Sequence, residues 1–359
     1  MQRERSVNET YRPLKMSHYF PVYWKTPAGA ECSGYMDSAG KLVADFPHIR
    51  VSVLNNERAF FADGSRWENG LLLWGVMDNR GHAITPPRLT SFKPFSEGRA
   101  VASDEHNTTL SFKFGFLNEA GEWAVMPTLI GAYSFSAGAA YVQREPSSSL
   151  WHLIGKQGEL LIDKLSLGGS SLKEGLAKAY VSESKLFGFR SMDGAWKIKA
   201  QFVGVKDFAE GLAAVLTGKP GKECVHFIDA AGEVVIEPSH YTSCEKGFSE
   251  GLACVFRVAK RRNDIVGGYI NRVGEEVISC DWGLAEPFSD GLAAVMDAQT
   301  RLWGFVNRNG KIVIPPKYGH VESFAGGLAK VRTSKRIGPE FYINPQGDVV
   351  WEAGSKPRA

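Results

Sequence analysis

Short runs of alternating apolar and polar residues recur along the whole chain, each broken by a polar, glycine-containing turn. The clearest stretch reads Phe305 and Val306, then a turn at Asn307-Arg308-Asn309-Gly310, then Ile312 and Ile314 with Lys311 and Val313 interleaved. Such two-residue alternation predicts a β-hairpin with one face buried. A second block, Phe-Ser/Ala-Glu-Gly-Leu-Ala, occurs at Phe208 to Ala213, Phe248 to Ala253 and, as Phe-Ser-Asp-Gly-Leu-Ala, Phe288 to Ala293, and more loosely at Phe95 to Ala100 and Phe324 to Ala329. It runs into a third strand, as at Ala214-Val215-Leu216. Prolines after the second strand, Pro86-Pro87, Pro238 and Pro315-Pro316, are expected to end the ladder there.

Aligned on the turn glycine, the chain divides into nine copies, at Gly40, Gly81, Gly121, Gly158, Gly194, Gly232, Gly274, Gly310 and Gly347, spaced by 36 to 42 residues. Three residues earlier stand Asp37, Asp78, Asn118, Gly155, Ser191, Asp229, Asn271, Asn307 and Asn344. An Asp or Asn there bonds its own downstream backbone, and the glycine accepts positive φ, as a type I turn with a bulge requires. Recurrence in nearly every copy assigns these acids to turns and not to catalysis.

Taken together, the turn glycine, the proline, the Glu-Gly-Leu-Ala block and the aromatic-glycine pairs Trp74-Gly75 and Trp303-Gly304 resemble the WG-repeat family. The resemblance runs from about Tyr19 to Trp351, with Phe114-Gly115 and Phe187-Gly188 replacing the tryptophan, and Trp151-His152 and Val225-His226 replacing the glycine. The first and last copies drift most, as capping units do. The resemblance implies an all-β tandem array of about nine hairpin-based repeats over residues 18–353, between an N-terminal extension (1–17) and a C-terminal tail (354–359). Three clear strands per copy, and more copies than the usual propeller has blades, favour an open or superhelical array. The alternative is a closed propeller-like ring, if the Tyr318 to Phe324 stretch supplies a fourth strand.

Composition adds exclusions. A formal net charge of +3, from 42 basic and 39 acidic residues, gives no field suited to nucleic acid. No apolar run is long enough to cross a membrane as a helix, and Met1 to Lys15 does not read as a signal peptide, so membrane insertion is not expected and the cytoplasm is the default compartment. Five cysteines without a Cys-x-x-Cys pair read as free thiols. No phosphate loop, nucleophile elbow or zinc motif is present, and Cys224, His226 and Cys244 fit no zinc spacing, so neither cofactor nor metal is expected.

What remains are candidate binding residues. Lys260, Arg261 and Arg262 form the only tight basic run, in a loop; His152 and His226 stand where Gly34, Gly75, Gly115, Gly188, Gly268 and Gly304 stand in other copies. The repeated Trp74, Phe114, Trp151, Phe187 and Trp303 read as core rather than as an exposed stacking stripe. The expectation is a non-catalytic scaffold that binds another protein, such as a toxin, effector or envelope component, through the segments that break the period: Arg144 to Ser149, Ser182 to Lys185, Thr217 to Lys222 and Arg257 to Ile265. The alternative is a ligand-binding or enzymatic assembly whose cleft gathers His152, His226 and nearby acids from several repeats.

Overall fold

The computed structural model describes residues 18–47, 49–67, 70–104, 113–145, 150–166, 172–219, 222–237, 241–259, 264–334 and 338–358. All regular structure among them is β, in small antiparallel sheets that follow the sequence period. Unit 8 shows the pattern: strands Leu284–Ala285, Leu292–Met296, Trp303–Asn307 and Ile312–Tyr318, each paired with the next. Unit 9 repeats it with His320–Val321, Ala329–Arg332, Glu340–Ile343 and Val349–Glu352. The stretch after Tyr318 thus does supply a fourth strand, His320–Val321, as the ring alternative requires. Units 2 and 3 share the long strand Ala83–Phe92 in one seven-stranded sheet.

The expected turns are present. Gly310 lies at φ 76° and donates to Asn307 O at 2.9 Å, while Asn307 Oδ1 accepts the Asn309 and Lys311 N–H groups. The Glu-Gly-Leu-Ala block proves to be a second tight turn: Glu250 and Gly251 (φ 52° and 77°), then Asp290 and Gly291 (φ 52° and 77°), place two consecutive residues at positive φ, the signature of a type I′ hairpin. The proline expectation is corrected at Pro86-Pro87 and Pro315-Pro316, while Pro238 lies outside the described residues. Strands Ala83–Phe92 and Ile312–Tyr318 run straight through Pro86-Pro87 and Pro315-Pro316. Pairing jumps from Phe305↔Ile314 to Trp303↔Tyr318, so the prolines sit in a bulge where no ladder bond is asked of them.

That bulge explains the glycine of the Trp-Gly pair. A Cβ on Gly304 would lie 2.4 Å from Ile314 O; at Gly75, Gly115, Gly188 and Gly268 the nearest carbonyl lies at 2.4 to 2.5 Å. In unit 4 the jump is one residue shorter, from Leu153↔Ile162 to Trp151↔Leu165, and there His152 is accommodated.

The apolar clusters are out of phase with the sheets, since each lies between consecutive units. Phe305 and Ile314 of unit 8 pack with Phe324, Val331 and Ile343 of unit 9, and Phe116 of unit 3 with Phe135 and Val142 of unit 4. Several interfaces are built round an edge-to-face ring pair, as with Phe305–Phe324, Phe189–Phe208 and Tyr269–Phe288, whose centroids lie 4.8 to 4.9 Å apart. The same device joins the two ends of the array. Tyr342 of unit 9 meets Phe20 of unit 1 edge-on at 5.3 Å, and one cluster holds Phe20, Val22, Trp24 and Met36 with Leu328, Tyr342 and Trp351. Residues after unit 9 then cross unit 1: Gly354 bridges Trp24, Arg358 bridges Lys41, and Lys356 Nζ lies 3.3 Å from Asp45. No sheet closes on itself, but the first and last units share a core.

Candidate functional site

Antiparallel connections alternate ends, so each unit has two unlike edges. One carries the type I′ turn and the Asx-Gly turn; the other carries the connection between the second and third strands. We call them the turn edge and the loop edge.

The turn edge is uniform because it links each unit to the next. Glu97 accepts the Ala137 and Gly138 N–H groups at 2.7 and 2.9 Å. Glu174, Glu210, Glu250 and Asp290 likewise accept the N–H of Gly211, Gly251, Gly291 and Gly327, at 2.8 to 3.0 Å for the shorter contact of each. Charge-assisted bonds of this kind offset the cost of holding a non-glycine residue at positive φ, about 1–2 kcal/mol. Ser96, Ser136, Ser249 and Ser289 Oγ donate to carbonyls of the following unit at 2.6 to 2.8 Å. The glutamates therefore belong to the frame.

The loop edge is irregular. The four segments that break the period belong to the connections, or reach into the strand ends beside them, that join Ala139–Gln143 to Leu150–Gly155, Leu176–Val181 to Leu186–Ser191, Ala213–Lys219 to Lys222–Ile228, and Leu252–Val258 to Ile265–Asn271; of these segments residues 146–149, 220–221 and 260–263 lie outside the described residues. Lys260, Arg261 and Arg262 lie outside the described residues. The strands that flank them pair as far as Val258↔Ile265, and these two side chains are 44% and 61% exposed.

The described pocket also opens on this edge, at the seam where units 9, 1 and 2 meet, with a volume of about 570 Å³. Trp24 and Trp351, both buried, line it together with half-buried Trp74 and exposed Tyr23. Its third side comes from an excursion of unit 2, where Arg66 pairs with Leu72 and Trp67 with Leu71. Charged side chains ring it. Arg50 meets Glu31 at 2.8 Å and holds that carboxyl below its usual range, and Lys330 meets Glu340 at 2.9 Å. Burial raises the Tyr23 phenol against the opposing charge of Arg50, and its hydroxyl donates to Val51 O.

The two histidines do not converge. His152 is buried in unit 4 with Nδ1 2.8 Å from Asp163; His226, in unit 6, has Nε2 2.6 Å from Thr217 Oγ1. Each has a partner within its own sheet, and neither lines the pocket. Among the described residues no three His, Cys, Asp or Glu side chains gather as a metal would need, and no helix is long and apolar enough to cross a membrane. All five cysteines are free; burial pushes Cys244 up to about 11 and Cys280 up to about 12. The repeated tryptophans are half-buried covers of the clusters, whereas the fully buried ring stands two residues later, as in Phe116, Phe189 and Phe305. Sequence reasoning missed the pocket residues because their proximity depends on the ends meeting.

The family model described as WG containing repeat matches residues 74–104, 187–219, 227–256, 268–297 and 303–335. These five segments coincide with units 2 to 3 and 5 to 9 of the array, and the chain is a WG-repeat family protein. Among solved structures it is similar to one described as "Crystal structure of the eukaryotic initiation factor", at 9% identity and TM-score 0.58, covering 95% of this chain and 96% of that one. The two folds thus agree over nearly their whole lengths. A looser similarity, at 7% identity and TM-score 0.44, covers 86% of this chain and all of the β-propeller domain of the Trilobed protease from Pyrococcus furiosus. Comparison with curated proteins finds no match.

Proposed function

We propose that this repeat scaffold closes into a ring of nine units and acts by stoichiometric binding of a protein partner at its loop edge, without turnover of its own. One observation carries the reading: the recurring polar residues are spent on the turn edge as links between units, while the strand connections that break the period, and the seam pocket, belong to the opposite edge. A rigid frame whose irregular connections lie along one rim is suited to recognition. Val258 and Ile265 add exposed apolar surface beside the basic loop.

The test is capture from the native host with three proteins in parallel: the unaltered chain, a charge reversal of Lys260, Arg261 and Arg262, and a turn-edge surface change at Val273, which is 73% exposed. The loop variant should lose the captured partner with its melting temperature nearly unchanged, and the turn-edge variant should keep it. Equal capture by all three would defeat the assignment of the face. Turnover of a small molecule, lost on His226→Ala, would defeat the scaffold reading itself.

The second reading, a ligand site built from several repeats, draws its support from the seam pocket and not from the histidines.

A further inference from the structure

The seam pocket carries a more specific assignment. Its volume of about 570 Å³ lies within the range of pockets that bury a small ligand or a few residues of a peptide. Its walls set three tryptophans beside a ring of charge. Four cations line it, Lys25, Arg50, Arg66 and Lys330, against two carboxylates, Glu31 and Glu340. Both carboxylates are already engaged, Glu31 by Arg50 and Glu340 by Lys330. The surplus therefore rests on Lys25 and Arg66. Arg66 is exposed at the rim and donates one bond, from Nη1 to Gly70 O at 2.7 Å; a guanidinium has further N–H donors in the same plane, suited to a carboxylate. The Arg50–Glu31 pair is more than half exposed, so its net strength is small and an incoming acid can compete for the arginine.

Resting on the reading of a protein partner, we infer that this pocket receives an acidic segment of that partner, its carboxylates on Arg66 and Arg50 and an aromatic or aliphatic side chain against Trp74 and Leu72. Because the walls come from both chain ends, the occupant spans the seam. By linkage it stabilises the closed form over any form in which units 1 and 9 have parted.

The probe is an N-acetylated, C-amidated Glu-Phe-Glu peptide, with Lys-Phe-Lys as its counterpart, titrated into the full chain. Tryptophan fluorescence and the thermal midpoint are read together. The acidic peptide should change the fluorescence and raise the midpoint, bind more weakly as salt rises, and lose affinity at least tenfold in Arg66→Glu. Arg50→Gln, at an exposed pair, serves as a second variant if Arg66→Glu alters the unliganded midpoint. Equal binding of the two peptides, or no binding of the acidic one at millimolar concentration, overturns the assignment. So does phenylacetate binding as tightly as the acidic peptide, which would make the pocket a small-carboxylate site. If the peptide fails while capture still depends on Lys260, Arg261 and Arg262, the pocket assignment alone falls; if no partner is captured, the functional reading falls.

Discussion

The turn edge and the loop edge are built by the same strands and held to opposite standards. On the turn edge a glutamate at positive φ, a glycine N–H in the next unit and a serine hydroxyl recur about every 40 residues, because each has a partner one unit away. On the loop edge, among the described residues, the Ala259 N–H bonds Asp264 O within its own connection and not a group one unit away. Polar residues that recur in a repeat protein are first to be explained as links between repeats. Those that occur once are the candidates for recognition.

The comparison can be broken most severely by opening the frame common to both edges. Removing residues from Gly310 onward strips the partners from two apolar clusters, that of units 8 and 9 and that of units 9 and 1, and should abolish the cooperative thermal transition followed by circular dichroism. A truncated chain melting like the full one would show that the seam contributes nothing. Next in size is Phe305→Ala, which empties a fully buried ring site and should cost about 3–5 kcal/mol by denaturant titration. Trp303→Ala, at a half-buried position, should cost clearly less.

Glycines sharpen the contrast between the edges. Gly310 and Gly29 both have positive φ, 76° and 82°, yet a Cβ at Gly310 would lie 3.3 Å from Ile278 of the preceding unit, and one at Gly29 meets nothing within 4 Å. Gly310→Val should therefore shift the urea midpoint more than Gly29→Val, which carries only the backbone cost of about 1–2 kcal/mol. Smaller still is the carboxylate link. Glu250→Ala should cost about 1–2 kcal/mol, and Ala137→Glu, which restores a carboxylate where unit 4 has none, should gain a few tenths to about 1 kcal/mol. Replacing Ser182 to Lys185 by a two-residue turn should change the melting temperature least, by the equivalent of about 0.5 kcal/mol or less.

The period, the all-β character and the Asx-Gly turn were legible because each is written within four consecutive residues. The Glu-Gly block was legible as a motif but not as a clamp, since its partner lies in the next copy and nothing local marks Glu250 as reaching Gly291. The prolines were misread because the bulge that excuses Pro315 and Pro316 from the ladder is a property of strand register. For the site, the irregular segments were found by their broken period, and the basic run among them lies outside the described residues. The seam pocket was hidden: Trp24, Arg66 and Trp351 are separated by most of the chain and meet only when unit 9 packs on unit 1. Drift in the first and last copies, read as capping, was its sole trace.

Tyr342 and Phe20 repeat the ring pair of Phe305 and Phe324, so in the proposed ring the polypeptide's beginning and end would meet as any two neighbouring units do. New termini placed in the connection at Ser182 to Lys185, with the old ones joined by a linker, would leave every interface between units in place. A gene rearranged in that way should yield the same molecule with its ends elsewhere, free to carry a fusion without blocking the seam.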